Sequence, residues 1–195
     1  RKLFFNLRSM KQGFKAELSA FRATPVRGDG LGSRVMAVET TTGRSDVPGA
    51  AQKTGRALDV MAEGRSWFAV QGLDGTEAYT RAGSLEVSTE GNLVNASGHL
   101  VLSDGGAPLA IPPGAEVTIG ADGTVSAKAP GQAGTNVGRL KMVTPDANQP
   151  IQRGADGLFR APGGDPLPSD PLARLQSGTL EGSNVNTIET MVSMI

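Results

Sequence analysis

Residues 55–102 read GRALDVMAEGRSWFAVQGLDGTEAYTRAGSLEVSTEGNLVNASGHLVL, and the alternation inside this stretch decides the fold class. Leu58-Asp59-Val60-Met61 and Leu85-Glu86-Val87 place apolar residues at every second position. Ser66–Gln71 (SWFAVQ) is a short apolar run, read as buried. Asp74-Gly75, Glu90-Gly91-Asn92 and Ser97-Gly98 punctuate these runs, and Glu77–Arg81, Leu93-Val94 and His99–Leu102 resume them. Short period-two runs bounded by Gly, Asn and Asp are strands joined by tight turns.

The same grammar continues downstream. Val117-Thr118-Ile119 and Thr124-Val125-Ser126 flank Gly120-Ala121-Asp122-Gly123, and the four letters recur at Gly154–Gly157 before Leu158-Phe159-Arg160. Asp-Gly supplies the positive φ that a tight hairpin needs. The recurrence is reuse of a turn, since it has no fixed period. Residues 57–160 are therefore expected to form a mostly antiparallel β-rich domain, and the chain is classed as mainly β. Ala161–Pro171 (APGGDPLPSDP) is a Pro/Gly loop, so 161–195 is assigned as that loop followed by the start of a C-terminal helix. Asn186 is placed to cap that helix, with Glu189 three residues on. Ile188, Met191, Val192 and Ile195 then form one apolar helical stripe. The stripe reaches the last residue, so a longer helix cut short is expected; fewer than about ten helical residues are marginal alone.

Upstream, Gly13–Ala23 is expected to be a short helix. Phe14, Leu18 and Phe21 fall at i, i+4 and i+7, and Pro25 follows. Thr24–Gly55 is rich in Gly, Pro, Ser and Thr around one β-like run, Arg34–Thr42. Residues 10–56 are thus assigned as a helix remnant with an extended connector, and 1–9 as a vector-derived segment. Residues 1–27 hold seven basic side chains against Glu17 alone. A solvated or foreign segment is preferred there to a nucleic-acid or lipid-binding arm.

Composition removes several classes of function. Nineteen basic residues balance 19 acidic ones, so a globally basic nucleic-acid binder is excluded. There is no cysteine and one histidine, His99, which removes disulfides, thiolate metal sites and multi-histidine centres. No apolar run approaches the roughly 18 residues of a membrane span. Aromatics make up 4% of the chain, so the core must be built from aliphatic side chains.

Catalytic motifs are missing as well. Lys53-Thr54 lacks the glycine that a phosphate loop places before the lysine, and Gly28-Asp29-Gly30-Leu31-Gly32 is not followed by a helical pattern. His99 is read as a solvent-facing strand residue, because no nucleophile and carboxylate accompany it. Asp59, Asp74, Asp104, Asp122 and Asp156 mostly adjoin glycine, as turn aspartates do. Asn95-Ala96-Ser97 fits a glycosylation sequon by three letters only. Trp67 and Tyr79 are read as core or core-edge residues. Catalytic, cofactor and metal residues are therefore expected to be none.

Several of these stretches together resemble the bacterial flagellar rod and hook protein family. They are Leu58-Asp59-Val60, Trp67-Phe68-Ala69-Val70, Asp74-Gly75, Tyr79-Thr80-Arg81-Ala82-Gly83 and Gly91-Asn92-Leu93-Val94, in family order and spacing. Glu116–Ala127 resembles the next strand pair, and Gly178–Ile195 (GTLEGSNVNTIETMVSMI) the start of the family's C-terminal helix. Length and Phe14–Val26 are most similar to the proximal-rod members. At Gly64-Arg65-Ser66-Trp67 the chain departs from the family's Gly-x-Gly-Phe, and a bulkier turn is expected.

The resemblance implies an antiparallel β-domain of rod/hook type between terminal helices that are truncated here. It implies a non-enzymatic axial subunit of the basal-body rod that polymerises helically, transmits torque and serves motility. Its implied partners are other rod subunits and the flagellar type III export apparatus, with no nucleic acid and no membrane span. The seam residues would be Ile188, Met191, Val192 and Ile195, and this stretch by itself is expected to be monomeric. A distal-rod or hook paralogue and, in another class, a secreted glycan-binding β-module are the alternatives.

Overall fold

A computed structural model describes residues 17–25, 35–44, 49–146 and 150–183. The strands, in chain order, are β1 (Glu17–Pro25), β2 (Val35–Arg44), β3 (Ala51–Lys53), β4 (Val60–Ala62), β5 (Trp67–Gln71), β6 (Glu77–Thr80), β7 (Leu85–Val87) and β8 (Leu93–Asn95). They continue as β9 (Glu116–Ile119), β10 (Thr124–Lys128), β11 (Thr135–Arg139), β12 (Met142–Val143), β13 (Gln152–Arg153), β14 (Phe159–Arg160), β15 (Leu175–Ser177) and β16 (Thr179–Glu181). There is no helix among the described residues. Every strand pairing is antiparallel.

The helix expected over Gly13–Ala23 is corrected. Residues 13–16 lie outside the described residues, and Glu17–Pro25 is a strand paired with Val35–Arg44, with a bulge between Leu18 and Ser19. A helix of about ten residues is marginal in water. The β-branched run Val35–Thr42 offers these residues a backbone ladder instead. The stripe Ile188, Met191, Val192, Ile195 and its Asn186 cap lie outside the described residues.

The central layer is a five-stranded sheet in the order β12-β5-β6-β14-β13. β5 explains the unalternated sequence SWFAVQ. Phe68 and Val70 face the larger core, with Leu93, Val101, Leu109, Val125, Leu140 and Met142. Trp67 and Ala69 face a smaller one, with Tyr79, Leu102, Val143 and Ile151. The Trp67 ring lies 4.7 Å from that of Phe159 at a 54° tilt. Each fully buried side chain of this kind contributes about 1.5–3 kcal/mol.

One loop serves almost the whole domain. Six times among the described residues, at 72–76, 88–92, 95–99, 103–107, 120–124 and 154–158, the same two backbone bonds recur. The first N–H donates to the fifth carbonyl, and the fourth N–H donates to the first carbonyl. The fourth residue is always glycine, with φ between 77° at Gly75 and 88° at Gly123. This is a three-residue hairpin loop closed by a glycine bulge.

The side chains stabilise it in two ways. Where the third residue is Asp74, Asp122 or Asp156, its Oδ1 accepts from the fifth N–H at 3.0–3.1 Å. A Cβ on the first residue would stand 2.6–2.8 Å from that oxygen, so Gly72, Gly120 and Gly154 open these loops. Where the first residue is Ser88, Asn95 or Ser103, its own side chain bonds within the loop and the third residue is not aspartate.

β3-β4 and β15-β16 form a kinked ribbon. Gly55 (φ 75°) and Gly178 (φ 71°) bend both strands at the same level, where the Gly55 N–H donates to the Gly178 carbonyl at 3.1 Å. The packed β-structure thus takes in 51–53 and 175–181, on either side of 57–160.

Gly83 is a second kind of glycine. A Cβ there would lie 1.7 Å from the Val60 carbonyl oxygen, while its own carbonyl accepts from the Val60 N–H at 2.9 Å. Gly83→Ala must push two hydrogen-bonded strands apart, and should cost the top of the about 1–3 kcal/mol overpacking range or more. Gly123→Ala meets only the left-handed backbone penalty and a contact with the Met142 methyl, costing about 1–2 kcal/mol. Urea midpoints of the two variants check the order.

Candidate functional site

β3 and β16 pair near both ends of the described stretch 49–183, and one ion pair sits beneath them. Arg81 follows β6, and Glu181 ends β16, 100 residues later. Their side chains are 2% and 1% exposed, and Arg81 Nε donates to Glu181 Oε2 at 2.6 Å. The rest of the guanidinium is spoken for. Nη1 donates to the carbonyls of Gly64 (2.9 Å) and Ser66 (2.6 Å), and Nη2 to that of Ala62 (3.0 Å). The carbon of the guanidinium lies 5.9 Å from the centroid of the Trp67 ring. The Gly64–Trp67 turn is thus tied to the Arg81 guanidinium through the carbonyls of Gly64 and Ser66.

Glu181 reaches in the other direction too. Its Oε1 accepts from the Gly49 N–H at 2.9 Å, and the Gly182 N–H donates to the Ala50 carbonyl at 2.9 Å. A Cβ at Gly49 would lie 1.8 Å from the Gly182 oxygen. The incoming and outgoing chains therefore touch backbone to backbone, which two glycines allow. Burying a charge costs several kcal/mol unless it is paired and hydrogen-bonded. Here the pairing ties Gly49, Ala62, Ser66 and Glu181 to one point.

A second buried cluster lies on β6 itself, with Lys141 reaching it from just before β12. Lys141 Nζ donates to Glu77 Oε2 at 2.8 Å, and both side chains are under a tenth exposed. The Tyr79 hydroxyl donates to Glu77 Oε1 at 2.8 Å and accepts from the Leu167 N–H at 2.6 Å. Burial, reinforced by the Glu77 carboxylate, pushes the phenol well above its ordinary value of 10.0. A cleft of about 360 Å³ opens beside it, between Gln71, Asp104, Lys141 and Pro166. Its buried charges are already matched to one another.

Arg160 joins two hairpin loops. Nη2 donates to Asp74 Oδ2 at 3.1 Å and to Asp156 Oδ2 at 2.7 Å, and Nη1 to Asp156 Oδ1 at 3.1 Å. The Arg160 bonds hold the Asp156 carboxyl below its ordinary range, and the Thr76 hydroxyl and N–H do the same for Asp74. Thr124 lowers Asp122, and Thr144 lowers Asp170.

The expected aspartates thus separate into roles. Asp74, Asp122 and Asp156 are loop residues. Asp104 pairs with Arg139 and accepts from Ser169. Asp59 is buried and bonded to Arg56 and Ser84. They do not converge, and no group of three or more acidic or histidine side chains able to hold a metal ion occurs among the described residues.

The reading of His99 is corrected. It closes the 95–99 loop, its N–H is bound by Asn95 Oδ1, and the ring is buried with Nδ1 lacking a hydrogen-bond partner. The loop turns it inward, which alternation counted across a turn does not capture. Asn95 is 3% exposed, so the sequon asparagine is a loop cap. Trp67 and Tyr79 lie in the core as read. The Arg81–Glu181 pair was missed. In the sequence the two residues stand 100 positions apart, each inside a family-like stretch, Tyr79–Gly83 and Gly178–Ile195, with nothing local that pairs them.

Comparison with known proteins gives two family matches. Residues 61–127 match the flagellar hook protein FlgE/F/G D1 domain, and residues 176–195 match the flagellar basal body rod FlgEFG protein C-terminal region. Among relatives, the chain is 45% identical to the flagellar basal-body rod protein FlgF of Escherichia coli, over 94% of this chain and 75% of the relative. It is 33% identical to FlgF of Caulobacter vibrioides, over 94% and 74%. It is 32% identical to the rod protein FlgG of Bacillus subtilis, over 85% and 64%.

The Tyr79 cluster generates a test. A phenol whose pKa is raised on folding contributes stability that is complete below its ordinary value and is lost as pH climbs above it. Stability of the parent protein should therefore fall above pH 10.0 more steeply than that of Tyr79→Phe. At pH 7 the substitution should cost about 1–3 kcal/mol, because the Leu167 N–H loses its acceptor. Denaturation at stepped pH measures both.

Proposed function

The chain belongs to the flagellar basal-body rod proteins of the FlgF kind, and from that premise we propose how its parts serve the rod. It is a structural subunit of the proximal rod, located in the flagellar basal body, and it associates with other rod components. The β-domain is the outer body of the subunit. The segments that continue from Gly49 and Ser183 are its polymerising arms, seamed through Ile188, Met191, Val192 and Ile195. The observation that carries this reading is the backbone contact of Gly49 and Ala50 with Gly182, at the two points from which these segments continue.

Head-to-tail contacts whose rotation does not close generate helical filaments. A rod that transmits torque needs each subunit's arms to be held rigidly to its body, and the buried root supports this. The chain reaches the rod through the flagellar export apparatus. It acts without catalysis: the buried charges of Arg81, Glu181, Glu77 and Lys141 are committed to one another and to backbone carbonyls. The β-domain by itself is monomeric, since the seam lies outside it.

The seam reading is tested by Val192→Asp in the full-length protein, in a cell whose swimming depends on it. An unpaired carboxylate in an apolar seam is strongly unfavourable. The expected outcome is normal export, a protease-resistant β-domain and no swimming. Glu189→Ala should do less, costing about 1 kcal/mol of helix capping. Unimpaired swimming of Val192→Asp would move assembly away from this stripe.

A further inference from the structure

We infer that the Arg81–Glu181 ion pair is a positioning device for rod assembly, fixing the direction in which the two arms leave the β-domain. The inference rests on the reading of the chain as a subunit that polymerises through those arms.

The geometry separates this role from simple stabilisation. Glu181 is the last residue of β16, two positions before the end of the described chain at Ser183. Its carboxylate is bidentate between two parts of the protein. Oε2 faces Arg81 Nε, and Oε1 faces the N–H of Gly49 on the incoming segment. The same guanidinium binds three carbonyls of the Ala62–Ser66 turn. A rotation of either segment about its root breaks bonds on the carboxylate. Both glycines at the crossing lack a Cβ, so sterics alone would let the strands slide or twist there. At the crossing itself the Gly182–Ala50 bond and the three-residue β3–β16 ladder add to the pair, and the Gly178 carbonyl and N–H anchor the ribbon further back.

A buried ion pair is poor value as a stabiliser. Replacing both partners by apolar residues of similar volume is often neutral for stability, whereas removing one leaves a buried charge. Its orientation is specific, because the planar guanidinium fixes several acceptors at once. The device therefore acts on arm direction, through Gly49 and Gly182, and leaves the domain core to its aliphatic side chains.

The test compares Arg81→Met/Glu181→Met with the parent in the full-length protein, alongside Glu181→Gln. Glu181→Gln keeps an oxygen for Gly49 but loses the charge facing Arg81. Three measurements are made: the urea midpoint, amide exchange at Gly49 and Gly182, and swim-ring expansion in cells. The double variant should stay folded with a lowered urea midpoint, because the Gly49 N–H and the carbonyls of Ala62, Gly64 and Ser66 lose these partners. Its Gly182 amide should exchange roughly tenfold faster or more, since local opening is no longer resisted. Ring expansion should slow by roughly tenfold or more as subunits fail to add in register. Glu181→Gln should fold, with faster exchange at Gly182 and slowed swimming.

Parental swimming in either folded variant overturns the proposal. Failure of both variants to fold also overturns it, because the pair would then be holding the domain rather than aiming its arms. The seam variant separates the two readings. If Val192→Asp stops swimming while the folded double variant swims normally, the arms assemble the rod and the ion pair does not aim them. If Val192→Asp itself swims, the underlying reading has failed.

Discussion

The Arg81 guanidinium is the point at which the described domain closes on itself. It sits 2% exposed with four acceptors: one carboxylate oxygen of Glu181 and the carbonyls of Ala62, Gly64 and Ser66. Those acceptors come from the β4–β5 connection and from the last strand. Without the carboxylate, a cation would be buried uncompensated. Without the cation, the carboxylate would be stranded beneath β3. Each partner therefore makes the other's burial tolerable, and the pair joins segments 100 residues apart. The arrangement that satisfies both also brings Gly49 and Gly182 together.

Around that point the fold is assembled from very short strands, most of two to five residues. Short strands suit a chain with 27 glycines and few aromatics, because tight loops can return it to the core every few residues. The five-residue loop with glycine fourth does this six times among the described residues. Its two stabilising schemes exclude each other for a steric reason. An aspartate at the third position occupies the space where a first-position Cβ would stand. Arg160 then ties two of the aspartate loops together, so rigidity extends from the core to the loop tips.

Charge is distributed to the same end. The chain is neutral overall, and among the described residues Arg81 with Glu181 and Lys141 with Glu77 are buried as matched pairs. Lys141, Glu77 and Tyr79 form a hydrogen-bonded chain ending on the Leu167 backbone, which fixes the Pro-rich stretch after Ala161 against the sheet. A body braced in this way is fitted to carry load as part of a rod.

Sequence by itself determined the β class, the buried character of Trp67–Val70 and the hairpins at Asp122-Gly123 and Asp156-Gly157. These follow from local rules: alternation, apolar runs and the left-handed residue a tight turn needs. The ordered motifs from Leu58 to Val94 also pointed to the rod family. Local rules misled where strand pairing or a turn overrode the apolar pattern. Phe14, Leu18 and Phe21 suit a helix, but Glu17–Pro25 pairs with Val35–Arg44 as a strand. His99 continues an apparent strand, but the Asn95–His99 loop turns it into the core. Only the tertiary structure decided that Arg81 and Glu181 meet, and that Gly49 and Gly182 touch. Pairings across 100 and 133 positions leave no periodic trace, because they depend on where the whole sheet brings the backbone.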